Sequence, residues 1–249
     1  IIVMPLDQNS FDLVEEFRDS VRFVELHSVA FYDDALKKRL KNCGKDVILG
    51  VGGRTLPEIE NAIHFFEKKI KVLMVGFQAF PSSINDIRLR KIAQLSNLYP
   101  EVAIGYADHS SYMSEWNIYS NLIAFSLGAR FFEKHITVKE GDKRVDTEAA
   151  IGYDTLQKIR TLLNEAHGLL FGYSDPFEMT PAEMVYRNRQ KMVVAKEHLS
   201  AGTRLQPNHL QLKMTGATDG FPRIEDLLEK KMIVSCQKDQ PIKRDYVGE

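Results

Sequence analysis

The chain has 249 residues, of which 44% are hydrophobic and 27% are charged, and its formal net charge is −1. This composition suits a folded protein with a sizeable core, and the balanced charge argues against nucleic acid as a partner. The two cysteines are far apart in sequence and no apolar run approaches the ~20 residues that cross a bilayer, so we expect a cytoplasmic protein without a membrane partner.

Short apolar runs alternate with helical patterns through the first two-thirds of the chain, which predicts an α/β fold with a parallel sheet. The predicted strands span 1–5, 22–26, 46–51, 71–75, 102–104 and 129–133, and the predicted helices span 10–17, 33–43, 57–69, 85–98, 116–127 and 153–170. An open doubly wound sheet and a barrel both satisfy this pattern. Because the chain opens inside a strand-like run, we expect a TIM-type (β/α)₈ barrel that lacks its first two βα units.

The pattern changes after Phe171, where a stretch rich in turn residues begins. A capping signal followed by a proline predicts a short helix over 180–190. Short strands and turns follow to the end of the chain. We therefore predict a barrel domain over 1–172, a linker over 173–190 and a small β-rich domain over 191–249.

Two histidines near the middle of the chain, His109 and His135, each follow an apolar run that predicts a strand. A helical stretch separates the two runs, so the strands should be parallel neighbours whose carboxyl ends meet at one edge. Imidazoles that converge there can share a divalent ion, and the adjacent acids Asp108 and Glu133 can orient the rings. The alternative is an inert pair of hydrogen-bonded histidines at a barrel rim.

Several segments together resemble the sialic acid synthase family. Gly105–Ser110 is similar to its Gly-Tyr-Ser-Asp-His-Thr motif, and Glu133–Thr137 is similar to its Glu-Lys-His-x-Thr motif. Val145–Ile151 resembles the segment that follows in the family, and residues 195–210 resemble its appended antifreeze-like (SAF) domain. The resemblance spans essentially the whole chain, from the third barrel strand onward.

The resemblance implies a metal-dependent transferase of sialic acid or surface-polysaccharide biosynthesis. Such an enzyme condenses phosphoenolpyruvate with an N-acetylated amino sugar to a nonulosonic 2-keto acid and phosphate. By this resemblance His109 and His135 hold the divalent ion, with Mn²⁺ expected before Mg²⁺, Fe²⁺ or Zn²⁺. Asp146 is expected to face the sugar, and Glu133 and Asp108 complete the expected catalytic acids. Family members pair through the small domain, so a homodimer is also expected.

Further positions align with the family's substrate-binding residues. Ser28 is retained from a Lys-Ile-x-Ser-x-Glu strand, and Gln78 and Phe80 stand in place of the Asn and Tyr of an Asn-x-Tyr-Pro turn. Gly53 lies in a glycine-rich turn that aligns with a Ser-Thr-Gly turn of the family. Free amides of this turn, with the Arg54 guanidinium beside them, predict an anion site, and a simple tight turn is the alternative.

The sequence departs from the family at the expected phosphate site. Glu25 and Ala30 stand where the family has a lysine and a glutamate, Ala107 replaces a serine, and Met214 lies where an arginine is expected. A carboxylate does not serve as the cation of an anion site. Two alternatives therefore stay open: a divergent non-catalytic relative that binds a sugar or a partner, and a barrel enzyme with an aldolase-like reaction on another substrate.

Overall fold

Six parallel strands form one sheet in the first of two units, residues 1–172, and residues 173–249 form the second unit. The computed structural model describes all 249 residues. The strands pair in chain order and are β1 (Ile2–Val3), β2 (Phe23–Leu26), β3 (Asp46–Gly50), β4 (Ile70–Val75), β5 (Ala103–Asp108) and β6 (Ala129–Lys134). The helices that follow them are α1 (Gln8–Glu16), α2 (Asp34–Asn42), α3 (Leu56–Phe66), α4 (Arg90–Leu98), α5 (Trp116–Ser126) and α6 (Tyr153–Phe171).

The sheet is strongly curved, as in half of a barrel. The rings of Phe23 on β2 and Phe131 on β6 lie edge to face with centroids 6.2 Å apart. Four strand spacings separate β2 from β6, so a flat sheet would hold them about 19 Å apart. The two rings meet because the intervening strands curl around the concave face. The predicted α/β class is confirmed, and the parallel sheet is a half-barrel.

Side chains alternate between the two faces of each strand, which gives the first unit two apolar clusters. The larger cluster lies between the sheet and the helices and includes Leu49 and Leu73. The smaller cluster lies on the concave face and includes Ile48, Val72 and Met74. Residues at the carboxyl ends of the strands continue this alternation, which decides which side chains reach the concave mouth.

Strands β5 and β6 are longer than predicted. β5 runs through Asp108 and β6 runs through Lys134, whereas the predicted strands end at 104 and 133. Polar residues at a strand end are typical of a loop, but these two side chains form a buried ion pair and the strands continue. Helix α4 begins at Arg90 rather than at 85, because Ile84–Asp86 forms a separate 3₁₀ turn.

Helix α3 begins with a local arrangement that its sequence favours. Thr55 precedes the helix, and Pro57 lies in the first turn, where the missing N–H costs little. The Glu58 carboxylate accepts hydrogen bonds from the Thr55 N–H and hydroxyl, each at 2.7 Å. This carboxylate therefore occupies the amino end of α3, where free N–H groups otherwise attract an anion.

The second unit is small and rich in short strands. After α7 (Pro181–Arg187), β7 (Lys191–Ala195) pairs with β8 (Leu210–Met214), and β9 (Lys231–Met232) pairs with β10 (Val247–Gly248), both antiparallel. Its own apolar cluster includes Val193, Leu205 and Ile242, all fully buried. None of the helices in either unit combines the length and the apolar character that a bilayer crossing requires.

Candidate metal centre

Strands β5 and β6 are adjacent and parallel, so their carboxyl ends carry side chains to one place. Their register pairs Asp108 with Lys134, and His109 and His135 follow directly. The two imidazole rings have centroids 5.0 Å apart and are tilted by 54°. His109 is nearly enclosed, with 4% of its surface exposed. The structure thus brings together the two histidines that the sequence singled out.

Glu133 completes a group of three side chains that can hold a metal. One nitrogen of each imidazole of His109 and His135 and one carboxylate oxygen of Glu133 lie within 4.8 Å of one another. Both ring nitrogens of His109 are buried without a hydrogen-bond partner, a costly condition unless a ligand satisfies them. Two nitrogens and one oxygen are a donor set that Mn²⁺, Fe²⁺ and Zn²⁺ accept, and these residues fit one such ion.

Burial affects the histidine and the carboxyl of this group in opposite ways. Burial, with the neighbouring His135 as a smaller cause, lowers the pKa of His109 to about 4. The imidazole is therefore neutral at neutral pH, which is the form that coordinates a metal. Burial also raises the pKa of the Glu133 carboxyl, although His135 acts against this shift. A divalent cation would compensate the buried carboxylate directly.

Asp108 does not orient the histidine rings, contrary to the role predicted for it. The Lys134 ammonium donates to its carboxylate at 2.9 Å, and Ser120 and Asn121 of α5 donate to the same oxygen at 3.1 and 2.8 Å. Alternation along the strands explains this, because residues 108 and 134 face the helices while the residues beside them face the concave side. Asp108 instead ties β5 to β6 and to α5.

Two other predicted site residues lie beside His135. The Asp146 carboxylate is 3.6 Å from the Nδ1 atom of His135, within ion-pair range. Phe80 packs edge-on against both imidazoles, with ring centroids 5.3 Å from His109 and 5.4 Å from His135. Asp146 is therefore placed to hold the His135 ring through Nδ1, and Phe80 covers the histidine pair from one side.

A small cavity of about 20 Å³, the inner pocket, opens beside the potential ligands His109 and Glu133 on the concave face. Ser28 and Gln78, both predicted to bind substrate, line it together with His109 and Glu133. Glu25 lines it as well, and no lysine or arginine does. Four of the ten predicted site residues therefore line this pocket, and no lysine or arginine there is available to an anionic ligand.

Gly53 and Arg54 do not line the inner pocket but a second cavity of about 780 Å³, which includes residues of α3 and α4 and adjoins the inner pocket at His109. The Arg54 guanidinium donates to the Glu58 carboxylate at 3.2 Å and lies over the rings of Phe31 and Tyr32. Glu58 thus offsets the charge of Arg54 and also fills the amino end of α3. This differs from the free anion site that the glycine-rich turn predicts, because a carboxylate of the chain already sits there.

Sequence reasoning missed the part that Lys134 plays. Its side chain is 4% exposed and that of its partner Asp108 is fully buried. A buried lysine requires a compensating carboxylate, and Asp108 is the residue paired with it in the strand register. The signal was present in the Glu-Lys-His triplet, since strand alternation turns the middle residue away from the face that its two neighbours share.

Comparison with known proteins identifies the family of this chain. The sequence model of the NeuB family matches residues 1–175. The chain belongs to the NeuB family. N-acetylneuraminate-9-phosphate synthase from Homo sapiens is 31% identical over 175 residues, covering 68% of this chain and 46% of that protein. N,N'-diacetyllegionaminic acid synthase from Campylobacter jejuni is 23% identical over 247 residues, covering 96% of this chain and 70% of that protein.

A solved structure supports the same assignment. N-acetylneuraminic acid synthetase from Leptospira borgpetersenii, in complex with citrate, is 29% identical with a TM-score of 0.63, covering 74% of this chain and 63% of that chain. The chain matches about half the length of the human relative. The part that matches the NeuB family includes β1 to α6 and all three potential metal ligands.

Proposed function

We propose that this NeuB-family chain catalyses the metal-assisted condensation of phosphoenolpyruvate with an N-acetylated amino sugar, giving a nonulosonic 2-keto acid and phosphate. The observation that carries the proposal is the convergence of His109, Glu133 and His135 at the carboxyl edge of the half-barrel. The names of the human and Campylobacter jejuni relatives, an N-acetylneuraminate-9-phosphate synthase and an N,N'-diacetyllegionaminic acid synthase, support this class of product.

The reaction forms a bond between the methylene carbon of phosphoenolpyruvate and the aldehyde carbon of the sugar, whose oxygen takes up a proton and becomes a hydroxyl. Water adds at the carbon that carries the phosphate ester, and the C–O bond to phosphate then breaks, which releases inorganic phosphate and leaves the 2-keto group. A divalent ion held by His109, Glu133 and His135 would supply Lewis-acid polarisation of the aldehyde oxygen. Asp146 holds the His135 ring and accepts hydrogen bonds from sugar hydroxyls. Phe80 limits the access of water beside the histidines.

The test is an assay of metal-depleted protein to which Mn²⁺ is returned. We expect phosphate release from phosphoenolpyruvate in the presence of N-acetylmannosamine or its 6-phosphate, together with a new 2-keto acid. His109→Ala and His135→Ala should lose both bound Mn²⁺ and activity, whereas His64→Ala, at an exposed position on α3, should keep both. Absence of phosphate release with every 2-acetamido sugar offered would reject the condensation.

We also propose that the half-barrel is part of an eight-stranded barrel that lacks two βα units here. The support is that β1 and β6 each pair on one side only. The second unit is proposed to be SAF-like, on its short antiparallel strands and the sequence resemblance of 195–210. A homodimer is proposed on the family resemblance alone.

A second candidate function is sugar binding without catalysis. The observation that favours it is the inner pocket, which has no lysine or arginine and contains the buried Glu25 carboxyl. The same assay separates the two functions. Binding of Mn²⁺ and of an amino sugar without phosphate release would identify a binding protein.

A further inference from the structure

The carboxyl of Glu25 is a buried acid that the fold itself leaves without a partner. It lies on β2, one residue before the end of the strand, and 6% of its surface is exposed. No protein group donates a hydrogen bond to it: the influences on its ionisation are burial and the charge of Glu133. Its oxygen atoms open onto the inner pocket, where water or a bound molecule can donate hydrogen bonds to them.

The side chain reaches the inner pocket because the neighbouring strand leaves room for it. Gly50 ends β3, and a Cβ at that position would come within 3.3 Å of the Glu25 Oε1 atom. A larger residue at 50 would therefore crowd the carboxyl. Glu25 lines the same pocket as Ser28, Gln78 and the potential metal ligands. A molecule bound at the ligand group thus has Glu25 beside it.

The charged groups around this pocket come from several elements, and none is a lysine or an arginine. Glu133 on β6 adds a second carboxyl. The two histidines that line the pocket, His27 and His109, both have a pKa lowered by burial, which favours their neutral form. Of the nearby cations, Lys134 is bound to Asp108 on the other face of the sheet. Arg54, Arg88 and Lys91 line the larger cavity, which adjoins the inner pocket at His109, and the charge of Arg54 is offset by Glu58. An anionic group next to Glu25 would meet negative charge without compensation, whereas hydroxyl and amide donors would meet an acceptor.

We propose that Glu25 is a specificity residue that accepts hydrogen bonds from the hydroxyl or amide groups of an uncharged acceptor sugar and keeps anionic groups out of the inner pocket. This rests on the proposed function, since the acceptor is taken to be an amino sugar. The inner pocket, at about 20 Å³, admits a single polar group rather than a whole sugar. One hydroxyl or amide group of the acceptor then enters it beside Glu25, while the rest of the sugar and the anionic donor lie outside it.

The experiment compares wild type, Glu25→Gln and Glu60→Gln as full-length, Mn²⁺-loaded proteins by titration calorimetry with two probes, N-acetylmannosamine and phosphoenolpyruvate. The titrations are run at a pH above the raised pKa of the Glu25 carboxyl, which is about 7, so that Glu25→Gln removes a charge while it keeps the size of the side chain. We expect it to weaken sugar binding about 10-fold and to tighten phosphoenolpyruvate binding, because a charge-assisted hydrogen bond is lost and a repulsion is removed. Glu60, exposed on α3, is the matched control and should leave both affinities unchanged.

Equal sugar affinity in wild type and Glu25→Gln, or weaker phosphoenolpyruvate binding in the variant, overturns the proposal, as does failure of the wild type to bind the sugar. Unchanged Mn²⁺ stoichiometry shows that the variant has folded. Phosphate release is measured in parallel. Sugar binding that depends on Glu25 without phosphate release rejects the condensation alone, and phosphate release with Glu25-independent sugar binding rejects the role of Glu25 alone.

Discussion

Burial of the Glu25 carboxyl links the pH to the stability of the metal-free protein. Desolvation, with a further effect of the Glu133 charge, raises the pKa of this group from 4.5 to about 7. The folded state therefore binds the proton more tightly than the unfolded state does. The contribution of Glu25 to the free energy of unfolding is fully present below about pH 4.5 and is lost as the pH rises through about 7.

Glu25→Gln should remove this titration. Relative to wild type, the metal-free variant should gain stability as the pH rises, by at most about 3 kcal/mol near pH 8, and the difference should vanish below about pH 4.5. Urea unfolding in the presence of EDTA at several pH values measures it, with Glu60→Gln as the control. A difference between Glu25→Gln and wild type that stays constant with pH would contradict the prediction.

The buried ion pair of Asp108 and Lys134 supports the strand ends that carry the histidines. Lys134→Met should leave the fully buried Asp108 carboxylate uncompensated and lower the free energy of unfolding by about 3–5 kcal/mol. Adding Asp108→Asn to that variant should restore part of the loss, because the remaining buried group is then uncharged. Urea unfolding checks both, and Lys38→Met, at an exposed position on α2, should be close to wild type.

Single residues differ in how far sequence predicts their roles. His109 and His135 were predictable because each follows an apolar run and the carboxyl ends of neighbouring parallel strands meet. The ion-pair partners of Asp108 and Arg54 were not predictable from sequence. Each pairing depends on the face of the element from which the side chain projects and on the position of a second residue. Glu58 neutralises Arg54 only because α3 begins where it does.

At the scale of elements, the glycines that follow β3 and β4, Gly52 and Gly76, bring neighbouring backbone segments into close contact. A Cβ at Gly52 would lie 1.9 Å from the carbonyl oxygen of Gly76, and a Cβ at Gly76 would lie 2.2 Å from the carbonyl oxygen of Ala107. Such distances are impossible without movement of the backbone. These glycines therefore let the backbone segments approach closely beside His109.

Gly52→Ala should consequently lower the free energy of unfolding by about 3 kcal/mol or more and weaken Mn²⁺ binding, since the strand ends must separate. Gly53→Ala is the matched control: this residue has a φ of +68°, and its added Cβ would meet no atom within 4 Å. Only the conformational cost of about 1 kcal/mol is expected there. Thermal unfolding and Mn²⁺ titration of both variants measure the two effects. Equal losses of stability and of Mn²⁺ affinity in the two variants would contradict the steric explanation.

The order of strands and helices was predictable from periodicity, whereas their ends were less so. Short continuous apolar runs locate β2 to β4, because the side chains of these strands pack on both faces of the sheet. The ends of β5 and β6 were not predictable, because they carry the polar residues Asp108 and Lys134. These side chains can be buried in the strands only because each is the partner of the other. The predicted start of α4, at residue 85, was too early, because the separate 3₁₀ turn of Ile84–Asp86 is itself helical and was included in the helix.

For the whole molecule, curvature is the property that sequence did not decide. An alternation of strands and helices fits both a flat sheet and a barrel, and the contact between Phe23 and Phe131 is what distinguishes them. That contact also explains why Glu25 on β2 and Glu133 on β6 influence each other although three strands lie between them. The inner pocket is thus formed by the curvature of the sheet rather than by any single sequence motif.

Each of the two units has its own apolar core, so we expect calorimetry of the full chain to show two unfolding transitions. Phe66→Ala opens a cavity in the core of the first unit and should cost about 3–5 kcal/mol there, and Leu205→Ala should cost about 2–5 kcal/mol in the second. Both side chains are fully buried.

Each variant should lower the temperature of one transition and leave that of the other unchanged. Added Mn²⁺ should raise the temperature of only the transition that Phe66→Ala lowers, because all three potential ligands belong to the first unit. One shared transition that both substitutions lower would show that the two cores unfold together.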